Sequence, residues 1–176
     1  RLSEELYSLL GSMIYGEGKD TIEHVIVHTA IEKHKTVSIA ESCTGGLIGH
    51  RITEIPGSST IFKGGLVVYS NAAKFMVLGV KQTCIDSYGA VSTETAEQMA
   101  TNVMEKFGTD YGLSVTGIAG PGGGTDEKPV GLVYIGLADS RKTEVREYKF
   151  GMDRKRNKVR TSQEALNWLR VTLQND

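Results

Sequence analysis

The spacing of apolar positions changes along this chain. Leu2, Leu6, Leu9, Leu10 and Met13 recur at near-helical intervals, with Ser3 placed to cap and Glu4 and Glu5 in the first turn, so the pattern predicts a short helix over 2–14. Tyr15-Gly16-Glu17-Gly18-Lys19-Asp20 interrupts it and reads as a linker. Thr21 then opens a helix to about His34, on which Ile22, Val25, Ile26 and Ile31 form the apolar stripe. A continuous apolar run over 36–40 predicts a buried strand, and a helix over 45–55 is closed by Pro56-Gly57. A strand over 61–69 and a helix over 71–78 follow. After Gly89, Ser92 caps a helix over 93–107, and 111–116 is another buried strand. Runs over 130–138 and 144–150 read as a hairpin turned at Asp139-Ser140-Arg141-Lys142, before a final helix to about Leu173.

Alternating strands and helices with an antiparallel tail predict an α/β fold, a three-layer α/β/α sandwich on a mixed, mainly parallel sheet. Residues 1–20 form an N-terminal helix and linker, and 21–176 the domain proper. A chain of 176 residues suits one domain with its own core. Lys and Arg number 20 against 21 Asp and Glu, so no general attraction to nucleic acid or to an anionic membrane is expected, and an anionic ligand must be caught locally. Two cysteines outside any CxxC pair suggest a reduced, cytoplasmic protein without a zinc cluster. Apolar runs are too short for a membrane span. There are 21 glycines, where average usage gives roughly 12, and most lie in loops where backbone can approach a ligand closely.

The chemistry concentrates where the first strand runs into Glu41-Ser42-Cys43-Thr44-Gly45-Gly46. A hydroxyl at a strand end beside helix-start N–H groups suits a nucleophile with a nearby anion or oxyanion site, although Ser42 is equally placed to cap the helix. No GxSxG elbow and no Ser-x-x-Lys occurs, and none of the four histidines falls in a loop near another strand end. Tyr69 and Lys74, at the end of the next strand and the start of its helix, are the available activating groups, against the alternative of a solvated helix lysine. A desolvated Lys74 can serve as base toward a serine hydroxyl. Cys43 competes as a thiol near a helix N-terminus or is simply buried, its side chain opposite to that of Ser42. The loop 117–124 can wrap a phosphate but lacks the Gly-Lys-Ser/Thr of a P-loop. Arg154, Lys155, Arg156, Lys158 and Arg160 crowd the start of the last helix, where the dipole disfavours cations, which suits an anionic ligand or a solvated basic face. His24 and His28 lack a third ligand, so no metal and no cofactor are expected.

Five ordered blocks carry a family resemblance: Ala40-Glu41-Ser42-Cys43-Thr44-Gly45-Gly46, Pro56-Gly57-Ser58-Ser59, Tyr69-Ser70-Asn71-Ala72-Ala73-Lys74, Gly89-Ala90-Val91-Ser92 and Thr116-Gly117-Ile118-Ala119-Gly120-Pro121-Gly122-Gly123. Together they resemble the C-terminal domain of the competence/damage-inducible protein CinA, whose stand-alone form is PncC, a nicotinamide-nucleotide amidohydrolase. The likeness runs over about 22–173. It implies Ser42 as nucleophile with Tyr69 and Lys74 as activating partners, and hydrolysis of nicotinamide mononucleotide to nicotinate mononucleotide and ammonia. Thr44, Gly45, Gly46, Asn71, Thr116, Gly117 and Arg154 are the expected substrate or oxyanion contacts. The last helix opens with Met152-Asp153-Arg154 where the family often has Gly-Asp-Arg. The resemblance also implies a homodimer, and Arg1 with Ile14-Tyr15-Gly16-Glu17 suggests a junction to an N-terminal region of a longer chain. The rival reading is a non-catalytic module that binds a nucleotide or a protein. An amidase of the same mechanism acting on another carboxamide is a third.

Overall fold

The computed structural model describes residues 2–176, without the side chains of residues 2–4, 7 and 12. The expected cap at Ser3, the first-turn Glu4 and Arg1 therefore lie outside the described residues. The elements are α1 (Leu2–Leu10), α2 (Ile22–Glu32), β1 (Val37–Glu41), α3 (Leu47–Thr53), β2 (Phe62–Val67), α4 (Asn71–Met76), α5 (Gln82–Tyr88), α6 (Thr93–Phe107), β3 (Tyr111–Gly117), β4 (Leu132–Ala138), β5 (Thr143–Lys149) and α7 (Arg154–Asn175). A 3₁₀ turn at Gly11–Met13 ends the first helical segment earlier than its apolar spacing predicts.

One five-stranded sheet has the order β2-β1-β3-β4-β5. β1 pairs parallel with β2 and β3, while β3–β4 and β4–β5 are antiparallel. Only β4 therefore runs against the other four, and the sheet is mixed with one dominant direction. Helices cover both faces. Val37 and Ile39 of β1 pack with Ile22, Ile26, Ile48 and Leu169 on the α2/α3/α7 side. The alternate residues turn to the α6 side: Ser38 donates its hydroxyl to the Val103 carbonyl, and Ala40 packs with Met99 and Val103. Thr21 and Ser92 accept hydrogen bonds from His24 and Thr95 N–H, so the hydroxyls expected at those helix starts cap them.

α5 is the element the pattern did not predict. It is seven residues long and buries only Cys84 and Ile85, too few apolar positions to reveal a period. The helix expected from residue 45 begins at Leu47, because Gly45 and Gly46 take left-handed φ values of 63° and 93° and form the turn ahead of it.

Candidate active site

The carboxyl ends of β1, β2 and β3 meet at one edge of the sheet, with Glu41 of β1 level with Val67 of β2 and Val115 of β3. β1 is followed by α3 on one face and β2 on one side, whereas β3 lies on its other side behind α6. This is a topological switch point, where open α/β sheets leave a crevice. Ser42 stands one residue beyond β1, in the wall of a cavity of about 260 Å³ that also includes Tyr69, Asn71, Lys74, Thr116, Gly117 and Arg154. At the other end of β3, a cavity of about 250 Å³ is lined by Tyr111, Asp139, Arg141 and Asp176 and contains no Ser, Cys or His.

Lys74 folds back from α4 so that its Nζ lies 3.0 Å from Ser42 Oγ and donates to the Val68 carbonyl at 3.0 Å. Ser70 makes this possible by capping α4 through the Ala73 N–H, which starts the helix immediately after β2. Lys74 is 2% exposed, and burial pushes its pKa below the ordinary 10.5, with the Cys43 side chain opposing weakly. A desolvated amine whose nearest side-chain partner is a hydroxyl has the chemistry to take that hydroxyl's proton. Cys43 also borders the cavity but packs with the α2/α3/α7 core, and burial raises its thiol to about 12. Its packing in that core follows the strand alternation, which predicted a side chain opposite to that of Ser42.

Glu41 is a residue the motif reading passed over. Its carboxylate accepts hydrogen bonds from the N–H groups of Gly46 (3.0 Å), Ile48 (3.2 Å) and Gly49 (2.9 Å). The N-terminus of α3 is thus filled by an internal anion, and the Gly45 N–H is bonded to the Ser42 carbonyl at 3.1 Å. Neither glycine amide is free for substrate, contrary to the expectation, and neither glycine lines the cavity. Thr44 is fully buried outside the cavity wall, and among the described residues its hydroxyl has no partner. Among the described residues no other residue's acceptor takes the amides of Cys43 and Thr44. The sequence signal for Glu41 is a charged residue closing an apolar strand just ahead of a glycine turn. Glu41→Ala strands three donors, and the expected loss is about 2–4 kcal/mol, or a Tm fall of roughly 5–15 °C by calorimetry.

The rest of the expected set frames the cavity. Thr116 is buried and spends its hydroxyl on the Ala90 carbonyl at 2.7 Å, holding the 89–91 loop against β3. At Gly117 an added Cβ would meet the Leu132 carbonyl at 2.7 Å, so the residue is needed for close strand packing. Asn71 opens α4 at the cavity edge. The Tyr69 hydroxyl accepts from Arg154 Nη2 at 2.7 Å, and the other guanidinium arm donates to the Gly120 carbonyl at 2.8 Å. No hydrogen bond links Tyr69 to Lys74, the partner its sequence position suggested. Two further residues shape the rim without lining it. Asn157, buried on α7, donates to the Ala119 and Gly151 carbonyls, and Lys128 donates to the Tyr88 and Val91 carbonyls. Among the described residues no three His, Cys, Asp or Glu side chains gather as a metal site.

The family model described as CinA C-terminal domain matches residues 19–173. The chain belongs to this family. A CinA-like protein of Dictyoglomus thermophilum is 50% identical over 175 residues, covering 99% of this chain and 43% of its own length. A putative competence-damage inducible protein of Clostridium perfringens is 47% identical over 173 residues, covering 98% and 42%. The chain thus spans less than half the length of these CinA relatives. Among solved structures, the competence/damage inducible protein CihA from Agrobacterium tumefaciens superposes with a TM-score of 0.83 at 38% identity, covering 90% of this chain and 99% of that one. The shared fold agrees with the α/β sandwich read from the pattern. No described helix is long and apolar enough to cross a membrane.

Proposed function

We propose that this CinA-family domain hydrolyses the carboxamide of nicotinamide mononucleotide to nicotinate mononucleotide and ammonia, with Ser42 as nucleophile and Lys74 as its base. The observation that carries the chemistry is the 3.0 Å contact between the buried Lys74 amine and the Ser42 hydroxyl. The choice of substrate rests on the motif blocks and on an arginine at the cavity wall suited to a phosphate.

In this scheme neutral Lys74 takes the Ser42 proton as Oγ bonds to the carboxamide carbon. The amide of Cys43, which lines the cavity beside Ser42, receives the oxyanion. The Lys74 ammonium then protonates the departing nitrogen, which leaves as ammonia, and the acyl group stays on Ser42 as an ester. Water attacks the ester with one proton going to Lys74, the ester bond breaks as that proton passes to Ser42 Oγ, and the product leaves as the carboxylic acid, which gives its proton to solvent to become the carboxylate. The Val68 carbonyl holds the amine in place through the cycle.

Ammonia release from nicotinamide mononucleotide by the purified chain tests the reading, and no release above a Ser42→Ala control defeats it. Nicotinamide riboside, which lacks the phosphate, is expected to show kcat/KM lower by about 100-fold or more, the scale of one or two charge-assisted contacts. Equal kcat/KM for the two removes the phosphate from the reading. A panel of other carboxamides separates a different amidase from this one.

A further inference from the structure

Lys128 stands beside the site without a part in the serine–lysine chemistry. It belongs to the connection between β3 and β4, residues 118–131, whose Gly120, Gly122 and Gly123 line the catalytic cavity. A turn at Thr125 sets the lysine's place: the Thr125 hydroxyl accepts from the Lys128 N–H at 3.0 Å, and the Thr125 N–H donates to the Lys128 carbonyl at 2.8 Å. From there the ammonium reaches a different loop. It donates to the carbonyls of Tyr88 and Val91, the latter at 2.8 Å.

Those carbonyls flank the link between α5 and α6, and Ala90 and Val91 of that link are cavity wall. Each carbonyl from 88 to 91 accepts from a side chain: Tyr88 and Val91 from Lys128, Gly89 from Ser92 and Thr95, and Ala90 from Thr116. Ser92 and Thr95 come from the adjoining helix and Thr116 from β3. Among the described residues Lys128 alone ties the link to the glycine-rich loop by a hydrogen bond. Gly89 leaves room for it, with φ at 81° and an added Cβ only 3.0 Å from the Lys128 Nζ. Tyr88 is the last residue of α5, so the cation also sits at the carbonyl end of a helix, where it is favoured.

We propose that Lys128 is a positioning residue that clamps the Ala90-Val91 wall to the glycine-rich loop, and so fixes the slot in which the substrate's carboxamide-bearing ring lies beside Ser42. The proposal rests on the mononucleotide reading above for its ligand. A loop rich in glycine has much backbone entropy to lose, and a charged donor shared between two carbonyls holds it more firmly than neutral contacts would. Lys128 does not line the cavity, and its ammonium is spent on those carbonyls. Its effect therefore reaches the substrate through the wall, and falls on the ring that a mononucleotide and a riboside share.

The test compares the wild type with Lys128→Met, which keeps the stem and loses the ammonium, and with Lys128→Arg, which still offers donors to both carbonyls. The residue lies on a surface loop, and circular dichroism checks that both variants are folded. Without ligand, amide hydrogen exchange read by mass spectrometry is expected to quicken by about 10-fold over 86–93 and 119–131 in Lys128→Met, with α2 and β5 unchanged. Calorimetric binding of nicotinamide mononucleotide and of nicotinamide riboside should weaken by the same factor, about 10-fold, with KM rising in step and kcat falling by less than about 3-fold. Lys128→Arg recovers part of each loss. Unchanged exchange in the two segments overturns the proposal, as does a fall in Tm with affinity intact. So does weakening confined to the mononucleotide, which would make Lys128 a direct phosphate contact, or no recovery in the arginine variant. Turnover slowed by about 100-fold at unchanged KM would place the lysine in the chemistry and overturns it too. A wild type that binds neither ligand and releases no ammonia defeats the mononucleotide reading, and the exchange series then decides the clamp.

Discussion

Ser42→Ala is expected to slow mononucleotide deamidation by about 10³-fold or more at saturating substrate while leaving the Tm within a few degrees of wild type. The hydroxyl is the only atom lost, and the groups around it stay in place. Lys74 Nζ keeps the Val68 carbonyl, and the backbone turn keeps the three Glu41 hydrogen bonds that build it. Cys43→Ala is the matched control. Its thiol packs in the core and burial pushes its pKa up to about 12, so that variant keeps most of its turnover. It loses about 1 kcal/mol of stability to the small void. A dead Cys43 variant beside an active Ser42 variant would transfer the nucleophile to sulfur. Circular dichroism of both proteins separates lost chemistry from lost fold.

Lys74→Met is expected to match Ser42→Ala in lost turnover, and the double variant to be little worse than either, since base and nucleophile act as one unit. Its stability moves in the opposite direction from an ordinary core mutation. The buried amine has its pKa lowered by desolvation, so carrying the charge costs the native state free energy that the unfolded chain does not bear. At pH values below the native pKa that cost is complete. As pH rises through the native pKa toward 10.5, the native state sheds its proton first, and stability rises. Lys74→Met removes the term, and its Tm at neutral pH is expected at or above that of the wild type. The difference between the two stability profiles should shrink as pH climbs through this window, and wild-type activity should rise over the same range. A Lys74→Met protein that is both active and less stable would rule out the serine–lysine scheme.

Much of the molecule was legible in the residues. Apolar runs and spacing located α2, α6 and all five strands, because their apolar residues pack into the clusters on the two faces of the sheet. Thr21 and Ser92 marked their helix starts for the same local reason, a hydroxyl satisfying an orphan N–H. α5 escaped because two buried residues carry no period. Of the site, the opposite orientation of Ser42 and Cys43 followed from strand alternation alone. The approach of Lys74 to Ser42 was argued from its place at the start of the helix after the next strand and then from the motif blocks, since 32 residues separate the two and no local rule joins them.

The sequence by itself determined the family, the α/β layering and the candidate side chains of the site, since these depend on residue type and short-range periodicity. Tertiary structure alone decided how those side chains are shared out. It gave the α3 N-terminus to Glu41, which takes the Gly46 amide from any ligand, and it gave the Tyr69 hydroxyl to Arg154. The physical reason is that a hydrogen-bonding group has few partners, and which one it takes depends on where strands far apart in sequence end in space. Tyr69 and Arg154 are 85 residues apart, and they meet only because β2, β1 and β3 finish at one edge of the sheet with α7 starting above it.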